Sequence, residues 1–437
     1  MKTWRSIPNL TIAGIIMIMT LISSNVHWSQ EESWKNLVGA DAEGYFAYLP
    51  AAIVYNDLNF GFFDEIKDHK DYSRNGFQDY RTEANGKIIN KYFAGTALAQ
   101  LPFFLVAHVV SEPLGYRSDG YSKPYIISIT IASLVYILLG LIFLKRLLRL
   151  YEIDGWNSAI VLLGFAFGSN LFCYTLVDIG LSHLYSFVFI TMFLYYGKLL
   201  FEDRKPNRIY LLGILLGLII LIRPVNGIIF FALPFLAGSK ESLIAGIMNL
   251  WQHKWISVMG LFLSMLVIST QLFIYKVSTG SFFVYSYKEE GFNLLSPHMF
   301  DILFSYKKGL FLYTPIFLVS LAGLYFSWKK SRFEAYSLAL FLLFLVYILS
   351  SWWNWWYGGS FSSRVFVEFI PLFAILLGLG LLKLKRKIVR TAYISLIGAL
   401  IILCQIQTYQ YRYYIIHYEN MDSEKYWDSF LRMDLLF

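Results

Sequence analysis

The sequence predicts an all-α, polytopic membrane bundle, and three observations predict it. Of 437 residues, 57% are hydrophobic and only 15% charged, with a mean hydropathy of +0.53, more apolar surface than a water-soluble core hides. Apolar runs of membrane-crossing length recur along the chain. The lysines and arginines behind the net charge of +8 fall in short clusters between those runs, as in cytoplasmic loops, and not on a nucleic-acid-binding face.

The first run, Ile7 to Ser24, follows a basic start and precedes no small-x-small cleavage site, so it reads as a retained first helix. Further runs lie near Pro124 to Leu144, Trp156 to Val177, Leu184 to Phe201, Ile209 to Ile222, Val225 to Ala237, Trp255 to Tyr275, Leu310 to Trp328, Phe333 to Ser351, Val365 to Leu382 and Thr391 to Thr408, giving about eleven spans. Cys173 and Cys404 lie inside such runs without metal-like spacing and imply neither a disulfide framework nor a zinc site. One more stretch, Tyr92 to Ser111, is long enough to span but is interrupted by Gln100-Leu101-Pro102 and His108.

That stretch decides the topology. If it does not span, and Lys2 and Arg5 are cytoplasmic, five basic clusters share one side: Lys145/Arg146/Arg149, Arg204/Lys205/Arg208, Lys240/Lys254, Lys329/Lys330/Arg332 and Lys383/Lys385/Arg386/Lys387/Arg390. If it spans, all five are inverted. The positive-inside rule therefore lays Tyr92 to Ser111 on the outer interface as a kinked amphipathic helix. The chain then reads as a single integral membrane domain, 1–437, with a long first outer loop, 27–123, and no soluble C-terminal domain. A cell membrane is the expected location, inner or plasma, with membrane lipids as neighbours and the chemistry on the periplasmic or outer side.

The outer segments hold most of the isolated polar residues. In Gly39-Ala-Asp-Ala-Glu-Gly-Tyr-Phe-Ala-Tyr-Leu-Pro50, a helix puts Asp41, Tyr45 and Tyr48 on one face and turns Glu43 about 200° away, while Pro50 is expected to break it. The competing reading is an interfacial aromatic belt with a solvated acidic cap. Asp178 and His183 in "LVDIGLSHLYSF", and Arg223 in "LIRPVNG", sit at the outer boundary, where ionisable groups next to apolar helices are costly and mark function unless they merely reach water. "SWWNWWYGGSFSSR" combines an aromatic rim, two glycines that permit close backbone approach and Arg364, whose planar fork suits a phosphate. Lys91, Lys288, Lys307 and Lys308 are further cations at this level, suited to a substrate phosphate or to lipid headgroups. No Walker loop, dinucleotide fingerprint, HExxH or Gly-x-Ser-x-Gly occurs, so nucleotide-driven transport and zinc proteolysis have no support.

This pattern resembles the GT-C superfamily of membrane glycosyltransferases, which includes protein O-mannosyltransferases and lipid A aminoarabinose transferases. "DAEGY" is similar to that superfamily's Asp-Glu-x-x-Tyr opening, with Asp41 in the position of the catalytic base, Tyr45 four residues on, and Ala42 where a second acid is common. "KYFAGTALAQLPFFLVAH" resembles its second interfacial helix, led by Lys91; Asp178 takes the place of the second acidic residue, and "GGSFSSR" resembles the Gly-rich turn ending in Arg. The resemblance implies transfer of a sugar, with inversion, from a polyprenyl-phosphate donor to a glycan, lipid or protein acceptor. It implies Asp41 and Asp178 as catalytic residues with Tyr45, Lys91 and Arg364 beside them; together with the residues read above, the catalytic candidates are Asp41, Asp178, Glu43 and His183, and the substrate-binding ones Tyr45, Lys91, Arg223, Lys288, Lys307, Lys308 and Arg364. Metal dependence varies in the superfamily, so the resemblance fixes no cofactor and a divalent metal stays open. The rivals are a lipid-linked saccharide flippase, which would place charges at mid-membrane in two repeats, and a surface-polysaccharide polymerase.

Overall fold

A computed structural model describes residues 2–28, 33–69, 72 and 78–434. The side chains of Lys2 and Arg5, and residues 29–32, 70, 71 and 73–77 of the expected outer loop, lie outside the described residues.

Helix α1 (Lys2–Ser23) leads to α2 (Asp41–Ile53), α3 (Phe63–Asp68), a hairpin of β1 (Arg81–Ala84) and β2 (Lys87–Asn90), and α4 (Gly95–Ser111). Then come α5 (Lys123–Leu150), α6 (Gly155–Phe167), α7 (Leu171–Leu176), α8 (Ser182–Asp203), α9 (Arg208–Ile222), a 3-10 segment (Pro224–Ala232), α10 (Leu233–Ala237), α11 (Lys240–Gln252) and α12 (Lys254–Thr279). Short pieces α13 (Met299–Phe304), α14 (Leu310–Tyr313), α15 (Ile316–Ser320) and α16 (Gly323–Lys330) precede α17 (Arg332–Ser350), a 3-10 turn (Arg364–Phe369), α18 (Ile370–Lys383), α19 (Lys387–Arg412) and α20 (Ser423–Ser429).

Among the described residues, seven of the expected runs form helices long and apolar enough to cross a membrane. Four others are shorter or interrupted. Trp156 to Val177 is split into α6 and α7, where Gly168, Ser169 and Asn170 divert the chain and Ser169 Oγ caps back onto Phe165 O at 2.6 Å. Leu310 to Trp328 is cut into α14, α15 and α16 around Pro315, which supplies no backbone N–H. Ile209 to Ile222 is a helix of 15 residues, and Val225 to Ala237 is half 3-10. Pro50 does not break α2 as expected: the helix runs three residues further, so the proline costs only one bond in its final turn. The hairpin was not part of the expected fold, although Asn85-Gly86, both at positive φ, is a strong two-residue turn signal.

Local chemistry fixes the starts. Ser331 Oγ accepts from Glu334 N at 3.2 Å to begin α17, with Glu334 at the capping-box position, and Ser239 Oγ caps α11 through Ser242 N at 3.1 Å. Helices α9 and α12 meet along a seam of small residues. A Cβ on Gly213 would lie 2.0 Å from Gly260 O, and one on Gly217 2.8 Å from Ser264 O, so the backbones touch.

The basic clusters gather at one end of the bundle: Asn249 Nδ2 donates to Arg204 O at 3.2 Å, Ser331 Oγ to Gly238 O at 2.9 Å, and Lys145 Nζ to Asn9 Oδ1. Helix α4 has both ends held at the opposite end. Gly95 lies against the backbone of Leu221 and Ile222, and His108 Nδ1 pairs with Tyr125 Oη at 2.6 Å, close to the start of α5. Both ends of α4 therefore meet the same end of the bundle.

Two outcomes follow from this packing. A cysteine at exposed Ser118 is expected to react with a membrane-impermeant thiol reagent from the outer side only, Cys173 and Cys404 being buried; labelling solely from the cytoplasm contradicts the topology. Gly213→Leu must push α9 off the α12 backbone and is expected to cost about 1–3 kcal/mol or more, read as a lower thermal unfolding midpoint in detergent.

Candidate functional site

A cavity of about 1580 Å³ opens at the end opposite the basic clusters. Of the residues the sequence singled out, Asp41, Glu43, Tyr45, Lys91, Asp178, Arg223 and Arg364 line it. They come from α2, the strand-to-α4 connection, the α7–α8 and α9–3-10 turns, and the Gly-rich loop.

Asp41 begins α2, and both of its oxygens are engaged. Oδ2 takes a hydrogen bond from Arg364 Nη2 at 2.7 Å and Oδ1 one from Tyr92 Oη at 2.7 Å. Tyr92 reaches it because position 44 is glycine: a Cβ there would lie 2.3 Å from the Tyr92 ring. Asn90 Nδ2 donates to Gly44 O at 2.7 Å, and Tyr48 Oη to Tyr92 O at 2.6 Å, which locks the strand end onto α2. Tyr45 packs on Tyr92 with ring centroids 4.8 Å apart and accepts from Ser182 Oγ at 3.3 Å. Burial opposes ionisation of Asp41, but the charge of Arg364 and the hydrogen bonds from Tyr92 and Arg364 outweigh it and hold the carboxyl below the usual aspartate range. Burial and then the Asp41 charge push Tyr92 well above the usual phenol value, so its O–H stays a donor.

Asp178 is tuned the other way. Burial raises it, only partly offset by the hydrogen bond from Tyr411 Oη at 2.9 Å and by the charges of Arg364 and Lys308. The turn that carries it packs on α2, the Cβ position of Gly180 lying 3.3 Å from Ala42 Cβ. Two carboxyls on one cavity wall with opposed shifts suit different protonation roles.

His183 does not line the cavity. It is buried, with Nδ1 at 3.0 Å from Glu368 Oε1, and Glu368 in turn lies 3.8 Å from Arg223 Nη1. Glu43 turns from the Asp41 face and accepts from Gln78 N at 3.0 Å through Oε2, although it still borders the cavity. Of the four lysines, Lys91 borders the cavity and pairs with Glu290 at 2.6 Å, Lys307 covers the Trp356 ring at 3.4 Å, and Lys288 is exposed at positive φ outside the cavity lining. Lys308, 2% exposed, donates to the carbonyl oxygens of Ser360 and Tyr418 and so pins the Gly-rich loop. In that loop Gly358 takes φ +68°, and a Cβ on Gly359 would meet the Tyr418 ring at 2.9 Å.

The sequence reading missed Tyr92, Glu368 and Tyr411. Tyr92 stood beside Lys91 in a stretch already singled out. Glu368 was legible as a lone carboxylate inside an apolar run. For Tyr411, one ring among many, no local signal exists. Among the described residues no three His, Cys, Asp or Glu side chains converge as metal ligands.

No known protein-family model and no curated protein matches the chain. Among solved structures it is similar to the archaeal oligosaccharyltransferase AglB from Archaeoglobus fulgidus in complex with an inhibitory peptide and a dolichol-phosphate, at 14% identity and a TM-score of 0.48, over 96% of this chain and 57% of that one. It is also similar to the Archaeoglobus fulgidus oligosaccharyltransferase in the apo form, at 14% identity and 0.49 over 97% and 60%, and in complex with zinc and sulfate, at 15% and 0.47 over 95% and 54%. The chain thus spans less than two thirds of the length of those chains.

The Asp41 shift has a pH signature. Its lowered value contributes stability that is present above the ordinary aspartate range and is lost as pH falls through the lower folded value. Arg364→Gln removes the largest stabilising charge and lets the folded value rise toward the unfolded one, so stability is expected to be lower at neutral pH and its acid-side fall shallower than in the unaltered protein. An unmoved acid limb would mean that Asp41 is not held by Arg364.

Proposed function

We propose that the protein is a membrane glycosyltransferase of the GT-C kind that moves a sugar from a polyprenyl-phosphate donor to an acceptor at the outer face of the membrane, with inversion. The observation that carries this reading is the pairing of Asp41 with Arg364 on the wall of a cavity that also presents Arg223 and Lys91. One ionised carboxylate beside several cations is what phosphate-activated sugar transfer needs. The leaving group is stable as an anion, so no protonated second carboxyl is required.

In this reading the acceptor hydroxyl gives its proton to the Asp41 carboxylate as its oxygen attacks the anomeric carbon. The bond from that carbon to the phosphate oxygen breaks on the opposite face, which inverts the centre. The polyprenyl phosphate leaves as an anion held by Arg364 and Arg223. Arg364 borders the cavity and bonds Asp41 through Nη2, so its five-donor guanidinium keeps capacity beyond that bond. A donor phosphate on Arg364 draws the guanidinium's charge away from Asp41 and makes the carboxylate more basic when the acceptor arrives. Asp178, held by Tyr411, orients the acceptor, and Tyr45 supports the wall behind Asp41.

Asp41→Asn keeps size and hydrogen bonding but takes no proton, so transfer is expected to fall about 100-fold to 10,000-fold with membrane insertion intact. Glu43→Gln should be milder. Near-normal transfer by Asp41→Asn together with its loss in Glu43→Gln would move the base to Glu43. Arg364→Lys keeps the charge but loses the fork and should raise the donor KM; an unchanged donor affinity in Arg364→Ala removes that residue from the donor site.

A further inference from the structure

Arg223 and Arg364 both border the cavity, yet their counter-charges lie on different sides of the wall. Asp41, the partner of Arg364, has a side chain 21% exposed and faces the cavity. Glu368, the partner of Arg223, has a side chain 0% exposed and is absent from the cavity lining. A substrate anion that approaches Arg364 meets a carboxylate already in its way; one that approaches Arg223 does not.

The seat of Arg223 is built from separate parts of the chain. Glu368 comes from the 3-10 turn that precedes α18, and His183 from the first turn of α8. His183 Nδ1 lies 3.0 Å from Glu368 Oε1, within hydrogen-bond distance, and Arg223 Nη1 stands 3.4 Å from both imidazole nitrogens. The Tyr357 ring flanks it, with its centroid 5.7 Å from Arg223 Cζ. A carboxylate sealed inside apolar helices is costly unless it holds a charge in place. Here it neutralises the arginine from behind and leaves the cavity side of the guanidinium to an incoming anion.

We infer that Glu368, held by His183, is a positioning residue that fixes Arg223 as the standing cation for the donor phosphate. The inference rests on the donor proposed above. It divides the labour between the two arginines: Arg364 shares its charge between Asp41 and the phosphate, while Arg223 keeps a partner outside the cavity throughout.

The test uses the full chain in lipid vesicles, with a polyprenyl monophosphate as the binding probe and a polyprenyl-phosphate sugar for kinetics. Glu368→Gln is expected to weaken probe binding and raise the donor KM roughly tenfold or more, with kcat changed far less. Because Glu368 acts through Arg223, the double variant Glu368→Gln/Arg223→Gln should be no worse than Arg223→Gln alone, and Glu368→Asp should recover part of the affinity. Losses that multiply in the double variant, or a fall in kcat with the donor KM unchanged, overturn the assignment. Should Glu368→Gln fail to insert, His183→Asn, which keeps a donor toward Glu368, is compared with His183→Leu; equal donor KM values in the two overturn it as well. If the unaltered chain shows no saturable binding of the probe, the donor reading fails and the inference with it. Binding that is intact in the unaltered chain and unmoved by Glu368→Gln overturns the inference alone.

Discussion

Two guanidinium groups held among aromatic rings must each be neutralised, and the cavity end of this bundle is arranged around that requirement. Arg364 is met by Asp41 at 2.7 Å and Arg223 by Glu368 at 3.8 Å. Meeting the first demand needs the start of α2 beside the Gly-rich loop, which in turn needs glycine at 44 and the clamp from Asn90 and Tyr48. Meeting the second brings the α8 and α9 ends against the turn before α18. The rest of the bundle supplies the low-dielectric surroundings that make both pairs strong.

The class of fold was legible because bilayer crossing leaves a composition and a charge asymmetry that survive any detail of packing. Helix interruptions were less legible. Gly168 to Asn170 and Pro315 sit in runs as apolar as their neighbours, and hydropathy does not register where a chain turns inside protein. Asp41 and Arg364 stood out as charges in small, aromatic contexts, but that they bond each other across 323 positions is a tertiary fact. Lys308 looked like a headgroup or phosphate ligand because a lysine's partners are invisible in sequence; here they are two carbonyl oxygens. His183 was singled out as an ionisable group at the edge of an apolar run; it lies in the first turn of α8, yet the ring turns inward to Glu368.

Small residues serve the bundle in two distinct ways. Along α9 and α12 they bring backbones into contact. At Gly44, Gly95 and Gly359 they clear room for a ring or a backbone that must pass close by, so that polar atoms reach their partners. The first use is about packing and the second about access, and only the second touches the chemistry directly.

The pinning of the Gly-rich loop bears on how the protein is made. Tyr411 binds Asp178, and the Tyr418 carbonyl receives both Lys308 Nζ and the backbone N–H of Ser360, the latter at 3.0 Å. All the charged cavity residues up to Arg364 are synthesised before those two tyrosines leave the ribosome. A nascent chain inserted through α18 therefore holds its acids and arginines without the contacts that set their spacing. The contacts of Tyr411 and Tyr418 with Asp178, Lys308 and Ser360 require α19 and the segment after it, so the wall around Asp178 and the Gly-rich loop is the last part of the cavity for which the chain supplies its partners.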